Sequence, residues 1–230
     1  MSMNRSIPMP FFQAEGDGQF QRHVLDGWFH IMDLAKPVIA QVHGYCLAGG
    51  SELAAACDLV YVGEGAKIGY PPVRSMGLPD ANFFAVLMPM RASLRIMLTG
   101  DTLTGAEAVK NGWANRCFPD AELDANVLDI ASKVAQLPSD LTQFTKRSVQ
   151  RALEAKGART YLRYGTDLQA LSFHTPSSRL AMKQFAGKGS HRKAFSARDA
   201  KFGDNRAAKE ENKEEVERVL KSRTGVLAKL

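Results

Sequence analysis

Long apolar runs are missing from this 230-residue sequence. No stretch nears the ~18–20 consecutive apolar residues of a membrane-spanning helix, and Asp58 interrupts the best candidate, residues 53–62. Cysteine is scarce: Cys46, Cys57 and Cys117 are too few and too scattered for a disulfide framework or a zinc cluster. The five histidines (His23, His30, His43, His174, His191) show no metal-ligand spacing, so no metal is expected. Residues 1–12 hold one Arg and a Pro-broken apolar patch too short for a secretory leader. A G-x-S-x-G elbow and the glycine-rich phosphate loops are absent; Gly187-Lys188-Gly189 lies in a basic tail and follows no strand. The expectation is a cytoplasmic protein with no membrane partner.

What is present is ordinary globular composition, 45% apolar and 23% charged. The net charge of +6 is uneven. Residues 1–182 balance at 17 basic and 17 acidic, whereas residues 183–230 carry 13 basic against 7 acidic. Such a tail suits an anionic partner or simply a solvated helix. Its only aromatics are Phe185, Phe195 and Phe202, too few for the stacking that nucleic-acid binding uses. No DNA partner is expected, and RNA is not favoured.

Periodicity predicts an amphipathic helix over residues 20–34, with Phe20, Val24, Leu25, Trp28 and Ile31 near one face and Pro37 ending it. Residues 38–42 read as a β-branched strand punctuated by Gly44. Gly49-Gly50-Ser51 opens a small-residue helix over 52–57, and residues 59–62 and 67–70 read as strands. Pro71-Pro72 and Gly77-Leu78-Pro79 bracket a loop that must turn sharply. Helices follow over 83–90 and 91–98, interrupted at Pro89. Thr104 and Glu107 form a capping box for a helix over 105–111 that Gly112 stops. A strand over 114–118 leads into helices over 122–137, 141–155 and 160–173. The order predicts an α/β core with a helical C-terminal part.

The segment His43-Gly44-Tyr45-Cys46-Leu47-Ala48-Gly49-Gly50-Ser51-Glu52 carries the most chemistry. A glycine pair at a strand-to-helix turn presents backbone N–H groups where partial positive charge collects, which suits an anion or a developing oxyanion. Glu52, just inside the same helix, is placed to exchange a proton with whatever binds there. The same residues equally make a tight turn with a carboxylate that complements the helix dipole. From these residues alone both readings stand.

Lys36-Pro37-Val38-Ile39-Ala40, the His43 to Glu52 string with Leu53-Ala54, and Cys57-Asp58-Leu59 together resemble the enoyl-CoA hydratase/isomerase (crotonase) family. The likeness continues through Ala66-Lys67-Ile68-Gly69-Tyr70-Pro71, Leu98-Thr99-Gly100-Asp101 and residues 106–119, and covers about residues 20–155. It implies a spiral of ββα units with a helical oligomerisation region, an acyl-CoA thioester as ligand, and a homotrimer or hexamer. No separate cofactor is implied, because coenzyme A is part of the substrate. The resemblance places an oxyanion-hole N–H on Gly49, the first catalytic glutamate on Glu52, and substrate contacts on Gly50, Tyr70 and Pro72.

Two departures accompany the likeness. The family's second glutamate falls on Pro72, and the nearest carboxylate downstream is Asp80, eight residues on. The family's first strands and its first oxyanion loop have no counterpart in residues 1–18, so the chain is expected to be an N-terminally short member. The expected organisation is a truncated α/β core over 1–120, a helical oligomerisation region over 121–182 and a basic extension over 183–230. The expected function is acyl-CoA chemistry through a thioester enolate. The alternative is a non-catalytic member of the same fold that oligomerises, with weak anion or RNA binding through its tail.

Overall fold

The computed structural model describes residues 18–75, 77–186, 191–200 and 202. The segment expected to lack the first oxyanion loop, and most of the basic extension, lie outside the described residues. One compact unit ends at Arg179 and a second begins at Leu180.

Helix α1 (Gln19–Asp33) leads into β1 (Ile39–Val42). The helix buries Gln21, Leu25 and Phe29, a stripe of every fourth residue. Phe20, Val24, Trp28 and Ile31, expected on the buried face, are half-buried and flank that stripe. The helix stops at Asp33, and Leu34 is already extended at ψ 138°.

After β1 the chain turns at Gly44 into β2 (Tyr45–Leu47), α2 (Gly49–Ala56), β3 (Leu59–Gly63) and β4 (Lys67–Gly69). A 3-10 turn (Pro71–Arg74) precedes α3 (Phe83–Leu87), α4 (Met90–Thr99), β5 (Thr102–Thr104), α5 (Gly105–Lys110) and β6 (Arg116–Phe118). Two three-stranded sheets result, β1-β3-β6 and β2-β4-β5. The first is parallel throughout; in the second β5 runs antiparallel to β4. Successive passes of the chain add a strand to each sheet, which is the ββα spiral the resemblance implies. The core between them is built on Val62, Ile68, Phe84, Ile96 and Leu103.

Strands β2 and β5 were not expected. Each is three residues long, too short to show alternation, and each is set by its neighbour. Lys67 N–H donates to the Gly44 carbonyl at 2.8 Å, and Thr104 pairs with Lys67 in register. Helix α2 also starts three residues before the expected 52, because both glycines take helical geometry. The capping box at Thr104 and Glu107 forms as the sequence indicates.

Helices α6 (Leu123–Ala135), α7 (Ser139–Ala155) and α8 (Ala158–Ser172) complete the first unit. Leu123 and Val127 of α6 pack on Tyr61 and Phe118, while α8 lies along α1. A buried ion pair ties α7 to the sheet: Lys146 Nζ meets Asp58 Oδ2 at 2.7 Å, and the same oxygen accepts Val38 N–H at 2.7 Å. Removing one partner of such a pair strands a charge, which costs about 3–5 kcal/mol. Lys146→Met should therefore lower stability by about 3 kcal/mol, read as a lower urea midpoint with unchanged slope. In the second unit, α9 (Pro176–Ala186) begins before the boundary, and α10 (His191–Ala200) carries an Arg198–Asp199 ion pair at 2.8 Å.

Candidate functional site

The turn between β2 and α2 is held in a conformation an L-residue rarely adopts. Ala48 stands at φ 52°, ψ −128°, which costs roughly 1–3 kcal/mol and persists only where the surroundings enforce it. They do: Ala48 N–H donates to the Gly69 carbonyl at 3.0 Å, and Ser51 Oγ donates to the Ala48 carbonyl at 2.7 Å. Gly69 itself admits no side chain, since a Cβ there would lie 2.7 Å from the Asp101 carbonyl oxygen. Strand β4 is thus the template on which the turn is built.

Ser51 and Glu52 N–H groups both return to the Ala48 carbonyl. Those of Gly49 and Gly50, the first two residues of α2, are left without an acceptor in the helix, at its positive end. Both glycines are exposed, and the Gly50 carbonyl accepts the Cys46 thiol at 3.3 Å. Gly49 therefore stands at the start of the helix that carries Glu52.

Glu52 is 2% exposed. Its Oε2 accepts the Trp28 indole N–H at 3.1 Å, and Oε1 accepts the Ala81 N–H at 3.4 Å. Burial, reinforced by the charge of Asp80, pushes its pKa up to about 8, although the Trp28, Ala81 and Asp80 hydrogen bonds oppose the rise. Burial also lifts Asp80 to about 6. Tyr70, buried just after β4, is raised well above the ordinary phenol range by burial and then by the Glu52 and Asp80 charges. The phenol therefore stays neutral across the physiological range.

Pro72 sits half-buried in the 3-10 turn, with no carboxylate to offer. The loop beyond it doubles back through Gly77 (φ 104°) and Pro79. Helix α8 pins that loop: Thr166 Oγ1 donates to the Asp80 carbonyl at 2.6 Å, and Gln169 Oε1 accepts Leu78 N–H at 2.6 Å. Asp80 is thereby brought into the field of Glu52. Asp80, in the sequence only the nearest carboxylate downstream of Pro72, is thus a second carboxylate acting on Glu52. Two features escaped the sequence: the approach of Asp80 to Glu52, which depends on the sharp Gly77-Leu78-Pro79 turn, and the bond to Glu52 from Trp28, read there as a core residue of α1.

The family model for enoyl-CoA hydratase/isomerase matches residues 12–194. The chain belongs to the enoyl-CoA hydratase/isomerase family. It is 30% identical over 167 residues to a probable enoyl-CoA hydratase of Rhizobium meliloti (strain 1021), spanning 71% of this chain and 65% of that protein. It is 31% identical over 146 residues to a mitochondrial enoyl-CoA hydratase of Pongo abelii, spanning 62% of this chain and 49% of that protein. Among solved structures, an enoyl-CoA hydratase from Mycobacterium smegmatis superposes with a TM-score of 0.78 at 32% identity, covering 82% of this chain and 64% of that one. The chain thus spans between about half and two thirds of these relatives. Within this enoyl-CoA hydratase/isomerase chain, the carboxylate coupled to Glu52 comes from the loop before α3, eight residues after the position where the family resemblance put it.

Proposed function

We propose that the chain binds an acyl-CoA thioester and moves a proton next to its carbonyl. The observation that carries this reading is the buried Glu52 carboxyl, with half-buried Asp80 acting on it, beside a helix start with two unbonded N–H groups. Those of Gly49 and Gly50 would receive the thioester oxygen, and so stabilise the charge that develops on it when the α-carbon loses a proton. At neutral pH the two carboxyls divide the work. Asp80, lifted to about 6, is ionised and able to accept a proton. Glu52, lifted to about 8, is largely protonated and able to give one. A pair whose environments separate their affinities in this way supplies both an acid and a base. Tyr70 and Pro72 would wall the acyl group. Double-bond shift and hydration both need this proton transfer, and the coenzyme A arrives as part of the substrate.

Binding of butyryl-CoA labelled with ¹³C at the carbonyl tests the proposal. The carbonyl stretch should fall in frequency on binding, as it does when N–H groups polarise the bond. Absence of binding, or a bound carbonyl with its solution frequency, would contradict it.

The same reading includes self-association, as a trimer or hexamer. Phe144 is 72% exposed on α7, and Tyr164, Leu168 and Leu171 form an exposed apolar line on α8, more than scattered surface residues account for. Light scattering should give a particle at least about three times the 25.2 kDa chain. A monomer at micromolar concentration would contradict this.

A further inference from the structure

One contact at the site joins elements distant in sequence. The indole of Trp28, on α1, reaches across to α2 and donates to Glu52 Oε2. The opposite oxygen accepts from the loop, through Ala81 N–H. A carboxyl turns readily about its last torsion, and donors of different strength on its two oxygens stop that rotation. The indole bond is the shorter, 3.1 Å against 3.4 Å, and an indole can only donate. Both carboxyl oxygens therefore act as acceptors toward groups that can only donate, and the carboxyl is held from two sides. We infer that Trp28 is a positioning residue that fixes the Glu52 carboxyl, holding Oε2 so that Oε1 stays on the Asp80–Ala81 side. This deepens the proton-transfer reading of the site, on which its catalytic meaning rests.

Packing alone does not account for the contact. Trp113 is buried in the same core with its Nε1 lacking any hydrogen-bond partner. An indole in this protein therefore does not require an acceptor. Trp28 has one, and it is the carboxyl at the site. Asp80 and Tyr70 face Glu52 from the loop and the end of β4. From α1 comes the neutral indole. Loss of the indole donor removes the main hydrogen bond that favours ionised Glu52.

The sequence holds two tryptophans, so ¹⁵N-tryptophan labelling of the full chain gives two indole signals. Between pH 5 and pH 10 the Trp28 indole should shift with the midpoint of Glu52, while Trp113 stays still. Glu52→Gln should abolish that shift. In Trp28→Phe, ¹³C spectra of the Glu52 carboxyl should show its midpoint raised by about one pH unit. The conservative ring replacement should also slow proton transfer at least tenfold with KM little changed. A Trp28 indole that does not titrate, or titrates equally in Glu52→Gln, would overturn the inference, as would an unmoved Glu52 midpoint in Trp28→Phe. If Trp28→Phe fails to fold, the first two spectra decide. A chain that ignores acyl-CoA yet shows the titrating indole would overturn the acyl-CoA reading alone, and an active chain with a static indole would overturn this inference alone.

Discussion

Between pH 4.5 and pH 8 the folded chain should lose stability as the pH rises. Glu52 carries the effect: its carboxyl has an ordinary value of 4.5 and is pushed up to about 8 by burial. In that window the folded state keeps a proton that the unfolded state has released, so removing protons favours unfolding. Asp80, moved from 3.8 to about 6, adds the same sign at the lower end. Each group contributes at most about 1.4 kcal/mol per pH unit, which makes the total a few kcal/mol. Below 4.5 the Glu52 contribution is fully present, and above about 8 it is gone. Asp33, held low by the Arg159 hydrogen bond, and Glu107, held low by the Thr104 N–H, act in the opposite direction. They do so only as pH falls through the acid range. Urea midpoints at pH 5, 6.5 and 8 should therefore decline in the native sequence. In Glu52→Gln the part of the decline between 6 and 8 should vanish. Midpoints that stay level or rise across the window would contradict a raised Glu52 in the folded state.

The second large effect is on catalysis. A positioned acid or base contributes ~10²–10⁴-fold. Glu52→Gln keeps the shape and loses the exchangeable proton, so isomerisation or hydration of an enoyl-CoA should fall by that factor. Asp80→Asn should fall comparably if the two carboxyls act as acid and base together. Their joint replacement should cost little more than either alone, because groups that act as a unit are not additive. A Glu52→Gln chain with full turnover would mean that another group moves the proton. Full turnover in Asp80→Asn would return the site to a single carboxylate.

Much of this was legible in the residues, for identifiable reasons. The amphipathic helices, the buried strand over Leu59–Gly63 and the capping box at Thr104 are encoded locally, within a few residues of one another. The glycine turn before Glu52 was legible too, since few other sequences present N–H groups there. The short strands β2 and β5 were not, because three residues carry no period and their identity comes from β4. Nor was Asp80. Its role depends on a reversal through Gly77 and Pro79, and on Thr166 and Gln169 of α8, almost ninety residues away in the chain. Trp28 shows the same limit: at helical spacing it reads as core, and its polar edge acquires meaning only when α1 lies against α2.

The central claim is that Glu52 and Asp80, as acid and base, together exchange a proton at the carbon beside a thioester held at the start of α2. Its most direct test is exchange of the α-protons of butyryl-CoA in D₂O, followed by NMR with catalytic amounts of the full chain. The account predicts loss of the α-proton signal at neutral pH, with exchange slowed at least ~10²-fold by Glu52→Gln. An α-proton signal that persists while the ligand is bound, or exchange that Glu52→Gln leaves undiminished, would contradict it.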